Sequence, residues 1–183
     1  ALRYLGDRQR AVPAQVRHLH VDRGQGTLHL DRETVAHLEL FEGLKGGDRE
    51  TSLFHHVDRT CTPMGRRRLA AWLRTPLCEL EGIRARHDAI GELLDTAGRL
   101  DGLCAVLRGI GDLERVAGRV ATRRVLPHEL AGLRDGLHRW PDLVGGLVGA
   151  KSPLLLALSE HVDGVAHLVA RLDRALVDEP PTH

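Results

Sequence analysis

The sequence has few aromatic residues, few cysteines and no long alternating run of β-branched residues. Aromatic side chains make up 3% of the 183 residues, so a protein built mainly of β-sheet is not expected. The three cysteines, Cys61, Cys78 and Cys104, match neither a paired disulfide framework nor the Cys-x-x-Cys spacing of a metal site. We therefore expect a chain that resides in a reducing compartment.

Long apolar runs and a secretory leader are also missing. No stretch of 18 apolar residues occurs, which argues against a transmembrane helix. Residues 1–4 lack the basic and apolar regions of a signal peptide. We therefore expect a soluble chain. The sequence lacks an initiator methionine and ends in PPTH at 180–183, and we expect it to be a piece of a longer protein.

Neither sign of charge dominates. Twenty-six basic and 25 acidic residues leave a formal charge of +1, which argues against nucleic-acid binding through bulk charge. All but two of the basic residues are arginine, which suits bidentate pairing with carboxylates. With 42% apolar residues the chain is long enough for one hydrophobic core, and we expect one domain.

What the sequence does contain is helical periodicity, because Leu, Ala, Arg and Glu recur at spacings of three and four. Candidate N-cap residues precede four of the predicted helices: Asp31, Ser52 (or Thr51), Thr62 and Asp112. Pro63 and Pro127 suit the first helical turn, and Pro76 ends the helix before it. Two alternating runs, at 18–21 and 27–30, flank a glycine-bearing turn and predict a short β-hairpin.

The most regular stretch lies near the C-terminus. Its apolar residues step by three and four, as in the a/d seam of a coiled coil: Leu155, Leu158, Val162, Val165, Val169, Leu172 and Leu176. Such a helix spans roughly 30 Å at 1.5 Å per residue, and its narrow seam predicts one long partner helix. Periodicity alone supports an ordinary bundle helix equally well.

One glycine-rich segment nearly matches a phosphate-binding loop. Residues 145–152 differ from the pattern G-x-x-x-x-G-K-[ST] only in having Ala150 where the second glycine belongs. That loop needs a strand before it and a helix that begins at the lysine, whereas Pro141 precedes the segment and Pro153 follows it directly. We interpret residues 141–153 as an irregular, glycine-rich connection.

A second hypothesis is a free-standing helical metal-dependent phosphohydrolase. The chain has twelve histidines, and its histidines and aspartates resemble the H…HD…D pattern of such enzymes: His55, His56, His87, Asp88 and Asp112. The chemistry requires four ligands that converge within about 2.0–2.3 Å of a metal. Because His87 shares a helical stripe with Ile83, Ile90 and Leu94, a structural histidine is the preferred interpretation.

A third hypothesis is direct nucleic-acid binding through the basic cluster Arg66–Arg68 and Arg74. Consecutive helical positions lie 100° apart, so the three arginines of the cluster do not form one edge. We interpret them as solvated surface with one internal salt bridge. No serine lies in a G-x-S-x-G context and no cysteine has a favourable local motif, so no catalytic residue is predicted.

Three segments together resemble one protein family. Residues 28–40 (LHLDRETVAHLEL) resemble the L-x-L-D-x-x-T-x-x-N-L-E-L opening of the core domain of MutS mismatch-repair proteins, with His37 where many members have asparagine. Residues 57–77 (VDRTCTPMGRRRLAAWLRTPL) are similar to D-x-T-x-T-x-x-G-x-R-x-L-x-x-W-L-x-x-P-L, and residues 110–119 (IGDLERVAGR) to D-L-E-R-x-x-x-R. Their order and separations agree, and the chain is identified as a member of that family.

The resemblance implies an all-α fold, a multihelical bundle with a short N-terminal β-hairpin and a long C-terminal lever helix that carries the seam. It divides the chain into 1–26, the tail of a connector domain and the start of the hairpin; 27–178, the first part of the core or lever domain; and 179–183, the start of the connection to a DNA clamp. The implied structural signature is Asp31, Thr60, Thr62, Gly65, Arg66, Trp72, Pro76, Asp112, Glu114, Arg115 and Arg119.

Most of the signature residues have an expected structural role. Thr60 and Thr62 cap successive turns, and Gly65 lets a neighbouring helix approach closely. Trp72, with Leu73, anchors the bundle. The acids and arginines of residues 112–119 tie adjacent helices through buried pairs, with Glu114 meeting Arg115 or Arg119.

The implied function is that of a non-catalytic core or lever segment of a MutS-like DNA mismatch-recognition ATPase, which couples the DNA clamp and mismatch-binding part to the ATPase. No catalytic, cofactor-binding, metal-binding or DNA-binding residue is expected in this chain, and ATP and magnesium belong to the parent protein. The implied partners are the connector, clamp and ATPase domains in cis and, through the parent, mismatched duplex DNA, a MutL-like protein and a second copy. The expected location is the bacterial cytoplasm, without membrane contact.

Overall fold

The computed structural model describes residues 26–44, 47–160 and 165–177, and these ranges are mostly helical. The helices in the first half are α1 (Arg32–His37), α2 (Leu53–Val57), α3 (Pro63–Arg74), α4 (Leu80–Asp95) and α5 (Arg99–Arg108). Those in the second half are α6 (Leu113–Ala121), α7 (Pro127–His138), α8 (Trp140–Gly145), α9 (Pro153–Glu160) and α10 (Val165–Ala175). The all-α prediction is confirmed at this level. None of these helices combines the length and the apolar character that a membrane crossing requires.

Local capping explains where several helices begin. The side chains of four residues accept a hydrogen bond from the backbone N–H three positions later: Asp31, Ser52, Thr62 and Asp112. Pro63 and Pro127 lie in the first turn of α3 and α7, where a missing N–H leaves no bond unmade. These boundaries follow the sequence prediction, because each depends on residues close together in the chain.

The N-terminal hairpin is not confirmed. Thr27 forms an isolated antiparallel bridge with Leu77, and Leu28 N donates to Pro76 O at 2.7 Å. The second predicted arm therefore lies beside the segment that follows α3. The first predicted arm and most of the turn, residues 18–25, lie outside the described residues.

The single lever helix is not confirmed either. Helices α9 and α10 cover parts of the predicted span, while residues 161–164, which include Val162, lie outside the described residues. Helix α9 packs mainly on α4, and α10 packs mainly on α7. The two described parts of the predicted seam thus lie on helices that pack against different neighbours. Leu155 is buried, but Leu158 is 58% exposed.

The main apolar cluster forms where α4, α9 and the turn before α9 meet. Ala89, Ala150 and Leu155 are buried together, and Leu93 and Leu147 pack against them. The small side chain of Ala89 lets the turn and α9 approach α4 closely. This contact orients the turn at residues 149–152 against α4.

Helix α4 therefore turns a different face inward from the predicted one. Ile90 and Leu94 are 53% and 65% exposed, and His87 is also exposed. Most of the apolar stripe identified from periodicity is thus exposed, with Ile83 half-buried, because the inner face carries a small alanine that gives little periodic signal.

The predicted irregular connection at 141–153 is partly wrong. Helix α8 begins at Trp140 and extends through Gly145, with Pro141 in its first turn. Proline suits that position because its N–H would have no helical acceptor. The residue that indicated a loop is therefore a helix-starting residue.

Candidate functional site

The most extended polar contact joins α3 to the beginning of α6. Arg67 donates from both terminal nitrogens to the two oxygens of Asp112, at 2.8 and 2.7 Å, and from Nε to Glu114 Oε2 at 3.0 Å. Asp112 also accepts the Arg115 N–H at 3.1 Å, so it caps α6 as well. The Arg67 guanidinium, reinforced by this N–H, holds the pKa of Asp112 at about 2, well below its ordinary value of 3.8. We call this contact the Arg67 clamp.

The Arg67 clamp connects two of the three family-like segments. The G-x-R of the second pattern falls on Gly65 and Arg67, and the D-L-E of the third supplies both acids. The signature expectation named Arg66, which instead pairs with Asp58 at 3.1 Å close by in the chain. The spacing of the pattern itself is the signal that could have identified Arg67.

A second link joins α6 to α7. Arg119 Nε lies 2.8 Å from Glu129 Oε2, and the same oxygen accepts the Leu126 N–H at 2.9 Å at the start of α7. The expectation that Glu114 meets Arg115 or Arg119 is wrong, because Arg67 reaches Glu114 from α3. The pairs are also partly solvent-exposed rather than buried. These ion pairs therefore fix the relative orientation of the helices more than they stabilise the fold.

A third polar centre is the carboxylate of Glu92 on α4. It accepts the backbone N–H groups of Lys151 and Ser152, each at 2.7 Å, and Arg99 on α5 lies 3.3 Å away. The Ser152 N–H is the largest cause that lowers the pKa of Glu92. One side chain thus joins α4, α5 and the beginning of α9.

This contact decides the interpretation of the phosphate-loop-like segment. The N–H groups of Lys151 and Ser152, which a phosphate loop would direct at a nucleotide, are bound to the Glu92 carboxylate. Ala150, at the position of the missing glycine, is 7% exposed and belongs to the apolar cluster. The segment is an internal anion-binding turn whose anion is supplied by the chain.

Two signature residues before α3 have other roles than expected. Thr60 donates its hydroxyl to Asp58 Oδ1 at 2.7 Å, so it stabilises a turn and does not cap a helix. A Cβ atom at Gly65 would lie 3.1 Å from Thr62 Oγ1 and 3.6 Å from Thr60 Cβ. The glycine therefore leaves room for the turn that caps its own helix, and not for a neighbouring helix.

Trp72 is a surface residue and not an anchor of the core. It is 38% exposed, and the guanidinium carbon of Arg86 lies 3.9 Å from the centroid of its ring. Arg68 lies 5.9 Å from the same ring. In the cluster Arg66–Arg68, two arginines thus form salt bridges and the third lies near an aromatic ring, where one salt bridge was expected.

The metal-dependent alternative receives no support. Within the residues that the structure describes, no group of three or more His, Cys, Asp or Glu side chains is placed to hold a metal ion. Arg67 binds Asp112. His56 Nδ1 lies 3.0 Å from the backbone oxygen of Ser52, the residue that caps the same helix. At least two of the proposed ligands are thus engaged in other contacts.

Comparison with known proteins agrees with the three sequence segments. The profile of the family described as MutS domain III matches residues 33–183. The DNA mismatch repair protein MutS of Salinibacter ruber is 39% identical over 181 residues, and that of an Anaeromyxobacter species is 40% identical over 181 residues. Each alignment covers 99% of this chain and 20% of the relative, so the chain spans about a fifth of their length. A MutS from Methanothrix thermoacetophila is 39% identical over 155 residues, 84% of this chain and 18% of its own. By its profile match and its relatives, the chain belongs to the MutS family, in the segment called domain III.

Proposed function

We propose that this chain is a non-catalytic core and lever segment of a longer MutS-like protein. In that protein it connects a DNA clamp and a mismatch-binding part with an ATPase that uses ATP and magnesium. The relatives are named as DNA mismatch repair proteins and are about five times as long as this chain. Mismatched duplex DNA, a MutL-like protein and a second copy are the partners of the whole protein, which acts in the cytoplasm.

The Arg67 clamp is the observation that carries this proposal. Two parallel hydrogen bonds from a planar guanidinium fix orientation as well as distance. A rotation of α3 against α6 would break both bonds to Asp112 together. The clamp therefore favours movement of the two helices as one body.

Further links extend the connection beyond α6. Arg119 and Glu129 join α6 to α7, and α7 packs on α10, where His138 Nε2 lies 3.0 Å from Asp173 Oδ1. A displacement at α3 would thus reach α10 through a series of polar and packing contacts. Rigid-body transmission requires this kind of packed, polar-linked scaffold.

The test uses the full-length protein that contains this chain. Arg67→Gln removes the clamp. The control is Arg84→Gln, which removes one positive charge from the exposed side of α4. We would measure the affinity for mismatched DNA with and without ATP, and the stimulation of ATP hydrolysis by DNA.

We expect Arg67→Gln to reduce the effect of ATP on DNA affinity by roughly fivefold or more, within the usual range of allosteric coupling. Basal hydrolysis and nucleotide-free DNA affinity should stay close to those of Arg84→Gln. Coupling that equals the control value would contradict a transmitting role. Complete loss of basal hydrolysis would show instead that the segment supports catalysis directly.

A further inference from the structure

A basic pocket lies between the segment that links α1 to α2 and the surface of α3. Three arginines, Arg49, Arg66 and Arg74, line it together with the rings of Phe41 and Phe54, and its volume is about 290 Å³. None of these residues belongs to the Arg67 clamp or to the Glu92 centre. The pocket has no role in the function proposed above.

The two phenyl rings hold two of the guanidinium groups in place. The Arg74 guanidinium carbon lies 4.1 Å from the centroid of Phe41, and that of Arg66 lies 5.4 Å from the centroid of Phe54. The rings contact each other, with centroids 5.6 Å apart and planes tilted by 49°. Stacking restricts a guanidinium but leaves its N–H edge available to an acceptor.

The charges around the pocket do not cancel. Arg66 is paired with Asp58 at 3.1 Å. Arg49 and Arg74 form no salt bridge with any residue that the structure describes. Glu42 is the remaining acid in the lining, so the pocket keeps an excess of about one positive charge, which one carboxylate would balance.

A second pocket, lined by Arg32 and several apolar side chains, adjoins the basic one. It shares Phe41 and Glu42 with the basic pocket and is otherwise lined in part by Val35, Ala36 and Leu44. Leu44 is 64% exposed, and Leu53 nearby in the chain is also exposed. Large apolar side chains exposed beside an arginine cluster are typical of contact with another polypeptide segment, whereas nucleic-acid surfaces are more polar.

Backbone hydrogen bonds connect several of the described residues around the two pockets. Gly43 N donates to Asp48 O at 2.8 Å, and Phe54 N donates to Leu40 O at 2.9 Å. A Cβ atom at Gly43 would collide with Thr51 Oγ1. These bonds hold parts of the lining of both pockets in place, which lowers the entropy cost of ordering them when a partner binds.

We propose that these adjoining pockets bind an acidic segment of the longer protein, in cis, from outside this chain. One carboxylate of that segment contacts Arg49 and Arg74, and a neighbouring apolar side chain packs against Leu44 and Val35. The relatives are about five times as long as this chain, so most of such a protein lies beyond it and at high effective concentration. The inference rests on the proposed function only in treating this chain as part of a longer protein.

Site-specific photo-cross-linking both tests this contact and identifies the segment that makes it. Leu53, exposed at the start of α2, is replaced by p-benzoyl-phenylalanine in the longer protein, and the adduct formed in cells is mapped by mass spectrometry. We expect an adduct of unchanged molecular mass, linked to a segment that contains Asp or Glu within a few residues of the linked atom. An adduct of increased mass would show a separate partner and would overturn the proposal.

The arginines supply the control. Arg49→Gln combined with Arg74→Gln should lower the adduct yield by roughly fivefold or more, whereas Arg84→Gln should leave it unchanged. A charge reversal tests the contact directly: Arg49→Glu and Arg74→Glu are combined with lysine in place of the mapped acids. This combination should restore the adduct yield, which shows that the arginine variants lose the contact and not the fold. Several results would overturn the proposal. They are the absence of an adduct, an adduct with nucleic acid, an adduct with a segment that lacks acids, and an adduct yield that the double substitution does not change. The coupling assay measures the effect of ATP on DNA affinity and does not detect this contact. Either proposal can therefore fail while the other holds.

Discussion

Arg67 and Asp112 are joined by two parallel hydrogen bonds across 45 residues of sequence. The ionised carboxylate is the form that accepts both bonds, so the contact depends on pH. Asp112 has a pKa of about 2 in the folded chain, against an ordinary value of 3.8. Between these values the unfolded chain binds the proton more readily than the folded one, and stability therefore falls as the pH falls.

We predict that the Asp112 contribution to the free energy of unfolding is fully present above about pH 4 and is lost as the pH falls through about 2. Arg67→Gln should remove most of this dependence. Urea denaturation of both chains from neutral pH down to about pH 2 measures the difference. A gap between the two chains that stays constant over this range would contradict the predicted role of Asp112.

The link made by Glu92 should be sensitive to loss of charge. Glu92→Gln keeps the size of the side chain but weakens its acceptance of the Lys151 and Ser152 N–H groups and its attraction to Arg99. We expect a lower thermal midpoint than in the unchanged chain. Glu81→Gln, in the exposed first turn of α4, is the control, and equal midpoints for the two variants would argue against this link.

The same substitution at two positions of α9 should have very different effects. Leu155 is 5% exposed within the apolar cluster, whereas Leu158 is 58% exposed. We expect Leu155→Ala to lower the free energy of unfolding by about 2–5 kcal/mol, as for other buried leucines. Leu158→Ala should change it by less than about 0.5 kcal/mol in the same denaturation experiment. Similar costs at both positions would mean that the predicted seam is buried as a whole.

The contact of Arg86 with Trp72 predicts a modest but measurable effect. Arg86→Ala removes a guanidinium 3.9 Å from the ring and should cost about 0.5–1 kcal/mol. It should also change the fluorescence of Trp72, because the ring becomes more exposed to water. Arg84→Ala on the same helix provides the comparison, and identical spectra and stabilities for both variants would count against the stacking.

The features that were predictable from sequence are those set by neighbours in the chain. The N-caps Asp31 and Thr62 depend on a hydroxyl or carboxylate and an N–H three residues later, and both were identified. The burial of α4 was not predictable, because Ala89 packs inward while Ile90 and Leu94 remain exposed. A small residue such as Ala89, which allows close packing, adds little to the hydrophobic periodicity of its helix.

Contacts between distant segments were harder to foresee. The sequence shows that Arg67, Asp112 and Glu114 occupy family-like patterns, but no spacing rule connects positions 45 residues apart. The contact of Glu92 with Lys151 and Ser152 is harder still, because its donors are backbone groups that no side-chain pattern encodes. The predicted irregular connection at 141–153 therefore missed the turn that binds the Glu92 carboxylate, because its acceptor lies on a distant helix.

That turn has an evolutionary consequence. A main-chain N–H survives almost any substitution at positions 151 and 152, proline excepted, whereas its acceptor exists only as the side chain of residue 92. Selection therefore acts unequally on the two partners. Among related lineages, position 151, whose side chain is exposed, should vary freely, while position 92 should be restricted to residues that offer an acceptor oxygen.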